Sequence, residues 1–434
     1  MLFEKKIENL AIFGNGENHC KNTEFENIVF NSKNVKKGDI FLPLKGDNHD
    51  AHKFIQEAYD MGAVCVISEK NLNNENYIHV ENTSLFLENI ARKQRELFRG
   101  LVIGITGSNG KTTAKETLSK YYENNLKEEE VYKSFGNYNN FFGLCFSLLD
   151  LNPFHKVGFF EIGTNNPGEI SKLAEILKMD LSIVTNIGHA HLEGLKSIRG
   201  VASEKTDIFN FTHDSGFCFG NIPEDYLTLA KEKSIRKKSF FISNNDSKKL
   251  LKKVINTTNT LLKLKSDSEQ IDAFLAEKIS IPGRFEIKKS RSKALIIDDA
   301  YNANPDSFKY AFHKIQNLDL SKILSEDVKD KYRRKICVFG KMGELGDKSE
   351  ELHKNILEEA SSIFDLVFVI DLKMDLKSSN VRFLKREKIE SSLKEYLNED
   401  SLIFFKGSRS VKMENIINNP VSYTHLTLPT NREV

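Results

Sequence analysis

The chain lacks long apolar runs and paired cysteines, and each absence excludes a class of protein. No stretch is long and apolar enough to span a bilayer, and the residues after Met1 contain no signal-peptide run. The cysteines, at positions 20, 65, 145, 218 and 337, lie far apart, which argues against both a disulfide framework and a zinc site. We therefore expect a cytoplasmic protein that does not insert into a membrane.

An excess of charge of either sign is also missing. The chain has 63 Lys and Arg against 61 Asp and Glu, a formal net charge of +2. This balance gives no reason to expect nucleic acid or an anionic membrane surface as a partner. Any anionic substrate must then be bound by local features of a folded domain.

What the sequence has instead is a regular alternation of apolar runs and longer amphipathic stretches. Strands are predicted at Val102–Thr106, Val157–Glu161, Leu181–Asn186, Ala294–Asp298, Ile336–Phe339, Leu366–Ile370 and Leu402–Phe405. Helices are predicted from the residue after Gly110 to about Asn125, from Glu169 to about Lys178, after Pro305 and over about Ser349–Ser362. This alternation is typical of βαβ units around mainly parallel sheets, so the predicted fold class is α/β.

Three domains are predicted within the 434 residues. Residues 1–97 form a small α/β segment with short strands at Asp39–Leu44 and Ala63–Ile67 and no phosphate loop. A polar stretch, Lys265–Glu277, separates a central ATPase-like domain, 98–280, from a C-terminal Rossmann-like domain, 281–420. Residues 421–434 show neither helical nor strand periodicity, and we predict that they are a non-native tail.

A glycine-rich loop lies between the first strand of the central domain and the helix that follows it. It comprises Gly107, Asn109, Gly110, Lys111, Thr112 and Thr113. Glycines let backbone N–H groups approach phosphate oxygens, and the helix N-terminus favours an anion there. The strict phosphate-loop pattern has glycine where Ile105 stands, so the match is a variant. ATP binding is the prediction, and a glycine-rich turn with an incidental lysine is the alternative.

Acidic and histidine residues follow the next strands. Glu161 ends a strand at the edge where parallel sheets bind ligands, so it could hold magnesium or be an ordinary strand-end carboxylate. If the segment after Asn186 stays extended, His189 and His191 share a face, either as metal ligands or as hydrogen-bonding residues. Lys205 falls on a predicted helix, where a solvated lysine is the simplest interpretation.

Together these segments resemble the Mur ligases of bacterial cell-wall synthesis, from about Asn31 to Ile417. The motifs that carry the resemblance are Gly104–Thr113, Gly136–Asn140, Glu161–Asn165, Asn186–Gly194, Pro282–Glu286, Asp298–Pro305, Gly340–Gly346 and Lys406–Ser410. The phosphate loop is shared with many ATPases, whereas the ordered set is specific to the family. Tyr301–Pro305 and Gly407–Ser410 favour the branch that adds D-alanyl-D-alanine.

The resemblance implies roles in catalysis and in nucleotide binding. The residues that it places in these roles are Lys111 and Thr112 on phosphate and magnesium, Glu161 and His191 as further magnesium ligands, Lys205 as a carbamylated lysine that orients a second magnesium, Asn302 near the adenine, and Arg284 and Asp299 on phosphate and ribose. Lys111, Lys205 and Arg284 are the expected catalytic residues. His189 stands where the family has proline and receives no role.

The resemblance also implies substrate contacts. Asn139 and Asn140 are expected near the uridine-linked substrate, with Ser32 in the UDP-binding part and Ser408 and Arg409 near the incoming dipeptide. The family's Asp-Ser-Arg is here Asn31-Ser32-Lys33, which removes a planar guanidinium fork from that part.

The implied reaction is ligation. ATP with Mg²⁺ would convert the terminal carboxylate of UDP-N-acetylmuramoyl-tripeptide into an acyl phosphate, which the amine of D-alanyl-D-alanine attacks, in peptidoglycan precursor synthesis. A monomer is expected. The alternatives are a related ligase that adds a diamino acid or glutamate, a nucleotide-dependent switch or scaffold without ligation, and a small-molecule kinase.

Overall fold

The computed structural model describes residues 1–21, 23–46, 49–73, 76–136, 138–277, 279–318, 334–418 and 423–424. These residues form two compact units, one of Met1–Asn186 with Ser203–Ala276 and one of Ile187–Ala202 with the chain from Glu277 onward. Within the described ranges, no helix combines the length and the apolar character needed to cross a membrane.

The first unit begins with a small α/β layer. Its elements are α1 (Ile7–Gly14), β1 (Glu17–Asn18), β2 (Ile28–Val29), β3 (Ile40–Phe41), β4 (Lys45–Gly46), β5 (His49–Asp50), α2 (Ile55–Asp60), β6 (Cys65–Ser68), β7 (Tyr77–His79) and α3 (Thr83–Leu97). The sheet order is β1-β7-β6-β3-β2, and β4 and β5 form a separate two-stranded sheet. Side chains of α3 such as Phe86 and Ile90 are buried, so this helix is part of the core rather than a linker.

A six-stranded, wholly parallel sheet follows in the same unit. Its elements are β8 (Leu101–Thr106), α4 (Lys111–Asn125), β9 (Val131–Lys133), α5 (Phe141–Leu149), β10 (Val157–Glu161), α6 (Glu169–Leu177), β11 (Met179–Val184), α7 (Leu192–Leu195), α8 (Ile198–Thr206), β12 (Thr212–Asn221), α9 (Leu227–Lys233), β13 (Lys238–Ile242), α10 (Ser247–Leu262) and α11 (Ser268–Ala276). The order is β13-β12-β11-β8-β10-β9. Apolar residues of β8, α4, α10 and α11 pack into one core on this sheet. Of these elements, α7 and the start of α8 belong to the second unit.

The second unit contains a seven-stranded sheet. Its further elements are β14 (Glu286–Ser290), β15 (Leu295–Asp298), α12 (Pro305–Gln316), β16 (Arg334–Gly340), α13 (Ser349–Ile363), β17 (Leu366–Ile370), β18 (Val381–Leu384), α14 (Arg386–Leu393), β19 (Ser401–Lys406), α15 (Glu414–Asn418) and β20 (Tyr423–Thr424). The order is β18-β17-β16-β19-β15-β14-β20, with β14 and β20 antiparallel to their neighbours. Apolar clusters cover both faces, and on one face the rings of Phe308 and Phe339 stack at 4.4 Å.

The predicted strands and helices are confirmed to within three residues at either end. The polar stretch Lys265–Glu277 was not predicted to be helical, yet it contains α11. Ile271 and Leu275 bury the apolar side of this helix, and their four-residue spacing is the signal that identifies it. The domain bounds at 97/98, 280/281 and 420/421 stay predictions.

The prediction for residues 421–434 needs one correction. Tyr423 and Thr424 form β20, which pairs with Lys289 and Ser290 at the edge of the second sheet. The reason is that pairing at a sheet edge uses main-chain groups, which need no side-chain periodicity. The rest of the predicted tail lies outside the described residues.

Arg95 links α3 to the C-terminal end of α6. Its side chain is nearly buried, and its Nε and Nη2 donate to the carbonyl oxygens of Leu177 and Lys178 at 2.7 and 2.6 Å. These carbonyls terminate α6 and have no helical partner of their own. Arg95→Ala leaves them buried without a donor, so we expect the free energy of unfolding in urea to fall by about 3 kcal/mol.

Arg92→Ala, on the same helix, is the matched control. The Arg92 side chain is 30% exposed and pairs with Glu88. Such exposed ion pairs contribute less than about 1 kcal/mol. Equal losses in the two variants would contradict the role given to Arg95.

Candidate functional site

The candidate site lies where the strand order of the parallel sheet changes direction. After β8 the chain builds β9 and β10 on one side, and it then builds β11 on the other. Glu161 at the end of β10 is in register with Ile105, and Val184 of β11 with Thr106. Ligands of parallel sheets bind in the crevice at such a switch point, beyond the carboxyl ends of the strands.

The phosphate loop has a conformation that requires glycine at Gly107. A Cβ atom there would lie 1.9 Å from Thr185 Oγ1, and the backbone φ is +149°. Gly110, with φ of +79°, occupies the N-cap position of α4 and has no side chain to cap the helix. The first N–H groups of α4 therefore suit an anion such as a phosphate group.

The end of β11 fixes the shape of this loop. Thr185 Oγ1 donates to the Asn109 carbonyl at 2.6 Å, and Asn109 N donates to Asn186 Oδ1 at 2.8 Å. Lys111 Nζ lies 2.8 Å from the Gly107 carbonyl, so its ammonium is held over the loop, and its predicted contact with β- and γ-phosphates stays a prediction. Thr113 is exposed one residue beyond Thr112. Thr185 was not identified from the sequence, because its partner Asn109 lies in the loop after a different strand, β8.

Thr112 and Glu161, both predicted magnesium ligands, lie within hydrogen-bond distance of each other. Thr112 Oγ1 donates to Glu161 Oε2 at 2.7 Å, and Asn139 Nδ2 donates to Glu161 Oε1 at 3.0 Å. A hydroxyl and a carboxylate are the hard oxygen ligands that Mg²⁺ prefers, and the ion takes its remaining ligands from phosphate and water. No cluster of three His, Cys, Asp or Glu side chains occurs in the described part of the chain. This sparse donor set fits magnesium bound together with a nucleotide.

The other substrate candidates of the first unit have local partners. Asn140 is the N-cap of α5, and its Oδ1 accepts from Gly143 N at 2.9 Å. Ser32 is buried, and its Oγ donates to Glu57 Oε2 at 2.6 Å. Their predicted contacts with substrate stay predictions.

Lys205 is fully buried on α8, so it is not a solvated lysine. The neighbouring Glu204 is also buried, and its carboxylate accepts from Gly168 N at 2.7 Å and Ile170 N at 2.8 Å. Glu204 thereby caps the start of α6 and orders the loop after Glu161. No sequence pattern identifies this residue, since its partners are main-chain groups about 35 positions away.

In the second unit, His191 has a left-handed backbone, with φ of +56° and ψ of 32°. The extended segment that would place His189 and His191 on one face is therefore wrong, because the chain turns here into α7. His191 Nδ1 lies 2.6 Å from Glu344 Oε2, which belongs to a glycine-containing loop after β16. His189 instead contacts Asp306, whose Oδ2 accepts from His189 N at 2.6 Å.

The segment that precedes β14 and the loop that follows β15 hold the predicted nucleotide residues together. The guanidinium carbon of Arg284 lies 4.0 Å from the centroid of the Tyr301 ring. Asp299 Oδ1 accepts from Phe285 N at 3.0 Å. The buried Lys406 donates to Asp299 Oδ2 at 2.6 Å and to the Asn302 carbonyl at 3.1 Å. Lys406 was not proposed from the sequence, although it begins the motif that contains Ser408 and Arg409.

Ser408 and Arg409 differ in exposure. Ser408 is buried, and its Oγ lies 3.0 Å from that of Ser410. The Arg409 side chain is 64% exposed, and its Nη1 lies 3.2 Å from Glu414 Oε1. Arg409 can therefore reach a ligand, whereas Ser408 supports the turn.

His353 holds the loop that carries Glu344. Its buried Nε2 accepts from Met342 N at 2.8 Å, and its Nδ1 lies 2.6 Å from the Ser349 carbonyl. Burial lowers the pKa of His353 from its ordinary value of 6.5. The unfolded chain then binds more protons, so the free energy of unfolding falls as the pH drops below about 6.5.

The variant His353→Gln tests this effect. Its amide oxygen can still accept from Met342 N, but it does not titrate. We expect a shallower loss of stability in urea melts below pH 6.5, the ordinary His value, than in the wild type. Identical pH slopes in the two proteins would exclude His353 as the titrating group.

Comparison with known proteins identifies the family. Residues 105–288 match the Mur ligase middle domain, and residues 283–409 match the Mur ligase, glutamate ligase domain. The chain is 31% identical to the UDP-N-acetylmuramoyl-tripeptide–D-alanyl-D-alanine ligase of Rickettsia prowazekii, over 96% of this chain and 99% of that protein. The chain belongs to the Mur ligase family. It is therefore an ATP-dependent ligase that forms amide bonds and uses Mg²⁺, as the sequence predicted.

Other Mur ligases show the same extent of similarity. The Bacillus subtilis ligase of the same name is 27% identical, over 96% of this chain and 98% of that protein. The structure of MurF from Acinetobacter baumannii superposes with a TM-score of 0.81 at 23% identity, covering 96% of this chain and 98% of that one. MurF from Thermotoga maritima in complex with ADP gives 0.75 at 26% identity, covering 91% and 97%. The predicted three-part α/β fold of the Mur ligases is confirmed.

Proposed function

We propose that this Mur ligase joins D-alanyl-D-alanine to UDP-N-acetylmuramoyl-tripeptide in peptidoglycan precursor synthesis. The observation that carries the proposal is the pairing of Thr112 with Glu161 beside Lys111. This pair lies at the switch point of a chain that matches ligases of this specificity over nearly its whole length. A phosphate site, a magnesium site and a substrate loop thus meet in one crevice.

Ligation requires activation, because a carboxylate has a poor leaving oxygen. Bound ATP supplies the phosphoryl group that makes the tripeptide carboxylate an acyl phosphate, and the dipeptide amine displaces phosphate from it. Lys111 and the α4 amides neutralise charge on the transferring phosphoryl group. Glu161 and Thr112 would hold magnesium, which would neutralise phosphate charge, and Asn139 orients Glu161 through their hydrogen bond. In the second unit, His191 is also a proposed metal ligand, and its Nδ1 lies 2.6 Å from Glu344 Oε2.

Residues of the second unit have proposed ligand contacts of their own. Asp299 is positioned for ribose by Lys406, and Arg284 for phosphate by stacking on Tyr301. The exposed Arg409 suits the dipeptide carboxylate, since a guanidinium binds a carboxylate with two parallel hydrogen bonds. Oriented reactants can gain about 7–11 kcal/mol over free ones.

A cytoplasmic location and a monomeric state are also part of the proposal. All five cysteines are free thiols, as expected in a reducing compartment. One chain carries candidate residues for the UDP part, the phosphates, magnesium and the dipeptide. Fractionation of cells would test the location, and light scattering after size exclusion would test the monomer.

One assay decides the function. The protein is incubated with ATP, Mg²⁺ and UDP-N-acetylmuramoyl-tripeptide, with and without D-alanyl-D-alanine. The products are identified by mass spectrometry. We expect the pentapeptide, ADP and phosphate only in the complete mixture. Stimulation by glutamate or a diamino acid would identify a different ligase. Hydrolysis at one rate whatever is added would indicate a nucleotide switch, and a stable phosphorylated product would indicate a kinase.

A further inference from the structure

A second lysine of α4 is buried behind the phosphate loop and has no assigned role. Lys115 lies one helical turn after Lys111, and its side chain is completely inaccessible to solvent. It therefore faces the protein interior rather than the nucleotide. An ammonium group in such a position is costly unless every N–H finds a partner.

The Lys115 ammonium has three partners. Nζ donates to the carbonyl oxygens of Ser134 and Gly136 at 2.7 and 2.9 Å, and it lies 3.3 Å from Glu116 Oε1. These use all three N–H groups of the ammonium. The other Glu116 oxygen pairs with Lys133 at 3.0 Å, so the buried charge belongs to a network.

The two carbonyls belong to the loop between β9 and α5, which also supports Glu161. Ser134 Oγ accepts from Glu161 N at 3.2 Å. A few residues later, Asn139 donates from its side chain to the Glu161 carboxylate, and its carbonyl accepts from Gly163 N at 2.8 Å. The main chain and the side chain of Glu161 are thus both held by a loop whose own position depends on Lys115.

We propose that Lys115 is a positioning residue that links the nucleotide-binding helix to the loop that carries Asn139. The inference rests on the proposed function. It adds a connection through which α4, which follows the phosphate loop, holds the loop that carries Asn139 in place. The ammonium holds two main-chain carbonyls at a fixed distance from α4, so Glu161 and Asn139 keep their places when the tripeptide substrate enters. Without it, the carbonyls lose their donor and the loop shifts, while Lys111 and Thr112 stay on the helix.

The test is Lys115→Met, which keeps the length and apolar stem of the side chain but removes the charge. We expect kcat for pentapeptide formation to fall about 100-fold, the loss typical of reactants misplaced by about 1 Å. KM for the UDP-tripeptide should rise, and the Kd for ATP, measured by calorimetry without peptide and without Mg²⁺, should stay at the wild-type value. Lys120→Met is the matched control, because Lys120 lies on the same helix with its side chain 53% exposed.

Ser134→Ala is the second variant, and it keeps the test valid if Lys115→Met does not fold. It removes the acceptor for Glu161 N and leaves Lys115 in place, so the same split between kcat and ATP affinity is expected. Wild-type kcat and KM in either folded variant, or an equal loss of ATP affinity, would overturn the positioning role. A lower melting temperature with unchanged kinetics would show a purely structural lysine and overturn it too. A wild-type protein that forms no pentapeptide would instead refute the proposed function.

Discussion

Lys111→Ala is expected to lower the rate of ADP release in the complete reaction mixture by about 100- to 1,000-fold. The ammonium is held 2.8 Å from the Gly107 carbonyl, over the predicted phosphate loop. Removing it takes away a positive charge that would stabilise the transferring phosphoryl group. A coupled assay for ADP, run with all three substrates and Mg²⁺, measures the loss.

The control for this variant is Lys120→Ala, which removes an exposed lysine from the same helix. We expect its rate to equal that of the wild type. A near-normal turnover of Lys111→Ala would refute the assignment of the phosphate loop itself. A loss shared by both variants would point to damage of α4 instead.

Glu161→Gln is expected to lower kcat by about 100-fold and to raise the Mg²⁺ concentration needed for half-maximal rate. The substitution keeps the size of the side chain but replaces a carboxylate oxygen, a good magnesium ligand, with an amide. It also puts an N–H group beside Thr112 Oγ1 or Asn139 Nδ2, which both donate to Glu161. Rates measured against Mg²⁺ concentration separate metal binding from the chemical step.

Glu175→Gln serves as the control, since Glu175 lies on α6 with its side chain 56% exposed. It should behave as the wild type at every Mg²⁺ concentration. If added magnesium restores Glu161→Gln in part, Glu161 contributes to the metal site. An unchanged magnesium requirement would remove Glu161 from that site.

Most of the secondary structure was predictable from the sequence, because a buried strand or helix face appears as a local pattern of apolar residues. β10, with the sequence Val157–Glu161, is buried on both faces, so it reads as one apolar run ending in a carboxylate. The same holds for β17. α11 was not predicted, since its two buried residues stand among seven others of mixed character. The two-residue strand β20 leaves no side-chain pattern at all.

The candidate site was predictable where one continuous segment contains both the functional side chains and the strand and helix that position them. The phosphate loop is such a segment, because strand, glycines, lysine and helix follow one another along the chain. The turn at His191 was not predictable, because the residues that this segment contacts, such as Glu344, lie in a distant loop. Lys115 and Lys406 were not recognised, because the sequence does not distinguish a buried lysine from a solvated one.

The sequence by itself determined the α/β class, the phosphate loop and the family, since these depend on the spacing of apolar residues and on contiguous motifs. Only the tertiary structure decided which lysines are buried and which carbonyls they hold. Hydrogen bonds such as those of Lys115 and Glu204 join a side chain to main-chain groups about 20 to 36 residues away. A main-chain carbonyl is present at every position, so its partner is fixed by the fold and leaves no mark in the sequence.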